Sequence, residues 1–205
     1  MKRYASLSSD SSAVRGKLQA ALYYSRKDNR EKRKDANLPM SFAGAKVGDL
    51  SAGGSLPTGW AAGSPTSFKW EVLSLEKRDN HDSIIIRISG TNNSGGTRFP
   101  AIKVMEIPAS PGEKYDLTYL IQVLDITAPA NETPRNSLQS RLNNVLINPG
   151  SYVTLPNTWA SQKISHTVLA TANELWLNLL DNSINDGADV DITFQIANMK
   201  LRRVG

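Results

Sequence analysis

From Phe68 onward, apolar residues recur at every second position in short runs broken by Gly, Pro, Asn and Asp. Period two is the pattern of a strand that buries one face. The stretch SPGEKYDLTYLIQV, residues 110–123, is the clearest case: a Pro-Gly break, then Tyr115, Leu117, Tyr119, Ile121 and Val123 on one face. Asp116, Thr118, Leu120 and Gln122 occupy the other. The same reading predicts strands over 68–78, 82–90 and 99–107. It predicts one or two more within 152–169, then strands over 173–181 and 190–204. Residues 79–81 form a turn, and 91–97, 127–137 and 181–189 are loops rich in Gly, Pro, Asn or Asp. With no long helical pattern in between, about seven to nine strands predict an antiparallel β-sandwich of the jelly-roll kind. No fixed repeat appears that would indicate a solenoid or propeller.

The N-terminal part reads differently. Ser11-Ser12 can cap a helix from about Ala13 to about Asp35, with Val14, Leu18, Ala21 and Leu22 in a stripe that Tyr23-Tyr24 extends. The end of this segment, RKDNREKRKD, has no apolar face, so the helix is marginal alone. Such a segment orders against another chain or stays mobile. Residues 38–67 are rich in Gly, Pro, Ser and Ala and predict loop with short extended pieces. The expected organisation is therefore an all-β domain over 68–205, a linker and first strand region over 38–67, and a basic arm over 1–37.

Charge sharpens that division. Residues 1–37 carry ten Lys/Arg and four acids, a net of +6, whereas the whole chain is +5. Residues 38–205 therefore carry −1, with fourteen basic and fifteen acidic side chains. The basic character belongs to the arm, as in a docking segment. Phosphate neutralisation needs only Lys and Arg, but Asp28, Glu31 and Asp35 dilute this run and no aromatic interrupts it. Nucleic acid is accordingly the lesser expectation beside an acidic protein surface. No apolar run is long enough to span a membrane, and the N-terminus lacks the apolar middle of a signal peptide. The absence of cysteine excludes disulfides, thiolate metal sites and cysteine nucleophiles.

Several features in order carry a resemblance. LPTGW at 56–60 ends a Gly-rich lead-in, and the Ile-rich SIIIRISG at 83–90 follows. EIPASPGEKYDLTYLIQV at 106–123, NELWLNLL at 173–180 and DVDITFQIANMKLRRVG at 189–205 complete the set. Over roughly residues 50–205 the chain is similar to jelly-roll carbohydrate-binding modules, particularly those built into phage virion proteins and bacterial surface proteins. The resemblance implies a concave outer sheet face that binds glycans or serves as a spacer. On that expectation the residues facing away from the core, Arg87, Gln122, Trp176, Asn178, Thr193 and Gln195, form the surface. An indole stacks on a sugar's C–H face while amides and guanidinium pair with hydroxyls. Trp60 is a further candidate, with a loop plug over one end of the sandwich as its structural alternative. Trp70 and Trp159 read as core.

Asp181, Asp186, Asp189 and Asp191 offer hard oxygens for a structural Ca2+, which related jelly rolls often carry. Their spacing is not that of an EF-hand, and a solvated Asx-rich turn gives the same composition. No other cofactor is expected. Asn92-Asn93-Ser94 and Asn131-Glu132-Thr133 are glycosylation sequons in form only. Catalysis is not expected: neither His81 nor His166 lies near a nucleophile motif, and no P-loop, Gly-x-Ser-x-Gly or zincin motif occurs.

The reading that unites these features is a non-enzymatic phage virion protein displaying a jelly roll, as a decoration, collar fibre or tail appendage. Arg15, Lys17, Leu18, Leu22, Tyr23 and Tyr24 would anchor it to other virion proteins. A symmetric oligomer such as a trimer fits that setting. The alternative is a glycan-binding adhesion module for a host-surface polysaccharide, and a third reading is a glycan-active enzyme.

Overall fold

The computed structural model describes residues 38–39, 41–64, 66–78, 80–98, 100–106, 114–127, 134–142, 145–148, 150–168, 174–180 and 184–204. The chain divides into two units, Met1–Ala36 and Asn37–Gly205. The expected helix and the anchor residues Arg15, Lys17, Leu18, Leu22, Tyr23 and Tyr24 lie outside the described residues.

The second unit is all-β: two antiparallel sheets stacked as a sandwich. In chain order the strands begin with β1 (Leu38–Pro39), β2 (Gly48–Asp49), β3 (Ala61–Ala62), β4 (Lys69–Arg78), β5 (His81–Thr91) and β6 (Ala101–Glu106). They continue with β7 (Lys114–Thr127), β8 (Pro134–Leu142), β9 (Val145–Asn148) and β10 (Tyr152–Thr154). β11 (Ala160–Thr167), β12 (Glu174–Leu180) and β13 (Asp189–Val204) complete the set. The larger sheet runs β11-β7-β13-β5-β4-β2, with β1 beside β13. The smaller runs β10-β8-β12-β6-β3, with β9 beside β8. Among the described residues the one helical element is a 3-10 turn, Leu50–Ala52, capped by Asp49, whose carboxylate accepts from Ser51 N.

The alternation in the sequence builds this directly. Tyr115, Leu117, Tyr119, Ile121 and Val123 all enter the core, as do Ile84, Ile86 and Ile88 of β5 and Ile192, Phe194 and Ile196 of β13. Leu138 of β8, Ile102 and Val104 of β6, and Leu175, Leu177 and Leu179 of β12 are the inward residues of the smaller sheet. Each fully buried side chain of this size contributes about 1.5–3 kcal/mol. Between β4 and β5, Arg78 faces His81 across a two-residue turn. Asn80 there takes φ 64, the left-handed conformation that a tight hairpin turn requires.

Two expectations are corrected. Residues 127–137 are not all loop, because Pro134–Ser137 open β8. The strands β8 and β9 were not predicted at all. In β8 the inward position after Leu138 is Ser140, whose hydroxyl meets His166 Nε2 of β11 at 2.9 Å across the sandwich. A polar pair satisfied inside the core erased the apolar alternation that would have marked the strand.

Candidate functional site

The expected ligand residues fall on opposite sides of the sandwich. Arg87, Gln122, Thr193 and Gln195 sit on the outer face of the larger sheet, and Trp176 and Asn178 on the outer face of the smaller. Period two says which face of its own strand a residue takes, and nothing about which sheet that strand joins.

On the larger sheet the polar groups are committed to one another. Gln122 Nε2 donates to Gln195 Oε1 at 3.1 Å, and Gln195 Nε2 donates to Ser83 Oγ at 3.0 Å. Arg87 grips Asp191 with two bonds, Nε to Oδ1 at 2.9 Å and Nη2 to Oδ2 at 2.5 Å. That grip holds the Asp191 carboxyl below its usual range and raises the guanidinium. Lys69 bridges Glu71 at 2.6 Å and Asp49 at 3.6 Å in the same charged row. Such a ladder is a satisfied surface, with side chains that brace neighbouring strands.

Three of the four aspartates expected to hold calcium are engaged by neighbouring side chains and backbone. Asp186 accepts from Gly95 N at 2.8 Å, Asp189 from the Thr91 hydroxyl, and Asp191 from Arg87. Among the described residues no three acidic or histidine side chains converge as metal ligands. Asp181 lies outside the described residues. Trp60 is half-buried, packed edge-on to Phe42 with ring centroids 5.8 Å apart and against the core. That packing holds the ring against Phe42 and the edge of the core.

The smaller sheet presents a different surface. Trp176 sits at the centre of its outer face, with Lys103 of β6 opposite on one side and Gln139 of β8 on the other. The register of β12 against β6 shifts between Leu175 and Trp176. In the next row Asn178 faces Ser137 and Ala101, and in the preceding row Glu174 faces Arg141. The indole Nε1 donates to Glu174 Oε2 at 2.9 Å, and Lys103 Nζ lies 3.8 Å from Glu174 Oε1. Arg141 lays its guanidinium 4.4 Å from the Trp176 ring centroid and donates from Nη2 to Gln139 Oε1 at 3.0 Å. Burial penalises the Arg141 charge, and Glu174 partly offsets that cost. Gly63 is needed beside the ring: a Cβ there would lie 3.2 Å from Trp176 Cζ3 and 2.7 Å from the Ala101 carbonyl oxygen.

This face is closed, contrary to the expectation of an exposed Trp176. The indole is 4% exposed, and Ser137, Gln139 and Asn178 are 0% exposed. Ser137 Oγ and Gln139 Nε2 are buried with no hydrogen-bond partner. An unsatisfied buried polar atom costs about 1–3 kcal/mol, so two such groups beside one aromatic ring mark the strongest candidate site in the described residues. Sequence reasoning found Trp176 and Asn178 but missed Ser137, Gln139 and Arg141. These three sit on β8, the strand whose alternation Ser140 hides.

The Ser140–His166 pair is no hydrolytic site. Both side chains are enclosed in the core, at 0% and 2% exposure.

No family model and no curated protein matches the chain. Solved structures with a related shape include the CBM22-1 xylan-binding domain from Paenibacillus barcinonensis Xyn10C. It matches at 12% identity and TM-score 0.44 over 83% of this chain and 97% of that one. A family 29 carbohydrate-binding module matches at 9% identity and TM-score 0.40 over 83% and 89% of the two chains. A CBM4 structure matches at 12% identity and TM-score 0.38 over 65% and 77%. These neighbours are carbohydrate-binding modules with a β-sandwich. The likeness is loose, and nothing about this chain's ligand rests on it.

Proposed function

We propose that the domain is a non-catalytic binding module for a polysaccharide, held around Trp176 on the outer face of the smaller sheet. The observation that carries the reading is the pair of buried, partnerless groups Ser137 Oγ and Gln139 Nε2 beside an indole, an amide and a guanidinium. Sugars supply both what those groups lack and an apolar C–H face. Titration against a polysaccharide panel tests it. Trp176→Ala is expected to abolish binding while Gln162→Ala, on β11 of the other sheet, leaves it unchanged. Equal binding by both variants contradicts the site. Release of reducing ends from the bound polysaccharide would instead favour a glycan-active enzyme.

A second reading, display on a phage virion, is supported by the placement of charge. All of the chain's net positive charge lies in residues 1–37, which coincide closely with the first unit. A charged segment whose sequence supports only a marginal helix gains order on docking. Here the arm attaches the domain to other virion proteins and the jelly roll faces outward, as one copy of a symmetric oligomer. Removing residues 1–37 is expected to abolish incorporation into particles, and normal incorporation refutes the reading.

A further inference from the structure

Trp176 points away from the core, yet it is 4% exposed. Part of its cover comes from a segment with few attachments. Gly63 is buried against the six-membered ring of the indole, so close that a Cβ there would lie 3.2 Å from Cζ3. It belongs to the run Ala61-Ala62-Gly63 at the end of the smaller sheet, where Ala61 pairs with Lys103 and Ala62 with Ile102. One further bond, from Gly63 N to the Ala101 carbonyl at 2.7 Å, completes its attachment to β6. No side chain in the run is larger than a methyl group, so it buries little apolar area. Left-handed residues bracket it, Gly59 at φ 86 and Ser64 at φ 53. Among the described residues the other non-glycines at positive φ are Asn80 and Asn198, a residue type that tolerates this conformation; serine is not. The closed segment therefore holds backbone strain at its Ser64 end. At its other end Trp60 is packed edge-on to Phe42. Few apolar contacts and an edge position are the marks of a unit that opens locally.

We propose that Ala61–Gly63 is a strap that lifts between Trp60 and Ser64 to uncover Trp176, and that its closure gates the saccharide site. The gating role rests on the glycan-binding reading above; the movement does not. Access comes from the β3 side, because on the other side of β12 stands β8, nine residues long and itself paired with β9 and β10. A site that is open in only a fraction of chains binds with an affinity reduced by that fraction. Loosening the strap therefore strengthens binding, and fastening it weakens binding.

The test fastens and loosens the strap in the full chain. The chain has no cysteine, and directly opposed residues of antiparallel strands lie about 4.5–5.5 Å apart at Cα, within reach of a disulfide. Ala61→Cys with Lys103→Cys is compared oxidised and reduced, so the loss of Lys103 is common to both forms. Gly63→Ala is the loosening change, since its Cβ would press on the Ala101 carbonyl oxygen at 2.7 Å. In the unaltered chain the Gly63 N–H is expected to exchange about 100-fold faster than the amides of β12. Oxidation of the cysteine pair is expected to slow it about tenfold or more. Acrylamide quenching of Trp176, taken by difference from Trp176→Phe, is expected to fall on oxidation and to rise in Gly63→Ala. Calorimetry then uses xylan, mixed-linkage β-glucan, polygalacturonate and dextran. For whichever the unaltered chain binds, oxidation is expected to weaken binding about tenfold and reduction to restore it, with Gly63→Ala binding more tightly. Equal affinity in the oxidised and reduced forms, with binding still abolished by Trp176→Ala, overturns the gate and leaves the Trp176 site standing. Exchange at Gly63 as slow as in β12, or quenching unmoved by oxidation, overturns the strap whatever the chain binds. Binding to none of the four overturns the glycan reading and with it the gate, while exchange and quenching still decide whether the strap moves. If Gly63→Ala does not fold, the cysteine pair decides alone.

Discussion

His166 reaches the sandwich interior from β11 and ends 2.9 Å from Ser140 on the opposite sheet. Gly150 leaves the room for it, since a Cβ there would lie 2.9 Å from His166 Nδ1 and 2.1 Å from the Leu138 carbonyl oxygen. Enclosure disfavours the charged ring and pushes its pKa down to about 4 from 6.5. Above the unfolded value both folded and unfolded chains hold a neutral ring, and the full stability is present. As pH falls from about 6.5 toward about 4, only the unfolded chain takes up the proton, so stability falls. The loss from this group totals about 3 kcal/mol and is complete below the folded value. Urea unfolding at pH 7 and pH 4.5 checks this. His166→Gln is expected to recover about 2–3 kcal/mol of the difference between the two pH values. An acid-induced decline of the same size in both proteins would show that other groups drive it. The histidine could be seen in the sequence, but its partner could not, because Ser140 lies 26 residues away on a strand the pattern concealed.

At the scale of elements, Asn92 joins the loop leaving β5 to the loop entering β13. Its Nδ2 donates to the Gly96 carbonyl at 2.6 Å and the Ile184 carbonyl at 2.8 Å, and its Oδ1 accepts from Ser94 Oγ at 2.7 Å. Its backbone pairs with Ala188 and Gly187. The side-chain nitrogen is thus buried and occupied, which rules out glycan attachment at this sequon in the folded domain. Asn92→Ala is expected to cost about 2–3 kcal/mol by leaving buried groups unpaired. That corresponds to a fall of about 4–12 °C in thermal unfolding for a domain of this size. A shift below about 1 °C would mean that the loops are held by their backbone bonds alone. Local pattern revealed the long strands well: β5, β7, β12 and β13 all bury the residues their alternation assigns. It could not reveal what covers a face. Leu175, Leu177 and Leu179 point inward as expected, yet Trp176 on the other side is enclosed too. Nor could it assign strands to sheets, and so it merged Arg87, Gln122 and Gln195 with Trp176 and Asn178 into one imagined surface. Sheet membership is a property of long-range pairing, which no single strand encodes.

At the scale of the whole molecule, the net positive charge lies in residues 1–37 and the described core in the second unit. Among the described residues the core begins at Leu56, and the apolar side chains packed against it begin at Phe42. The first 37 residues hold a net +6 and the remainder −1. Removing residues 1–37 is therefore expected to leave the sandwich folded with little change in its melting temperature, and to invert its behaviour toward polyanions. At pH 7 the full chain, at +5, is expected to bind a cation exchanger and to associate with nucleic acid or heparin with an affinity that falls steeply in salt. The shortened chain, at −1, is expected to do neither. Cation-exchange retention at two ionic strengths, with circular dichroism to follow folding, measures both halves of the prediction. Polyanion retention by the shortened chain would place a basic patch within the sandwich, which its charge balance does not supply.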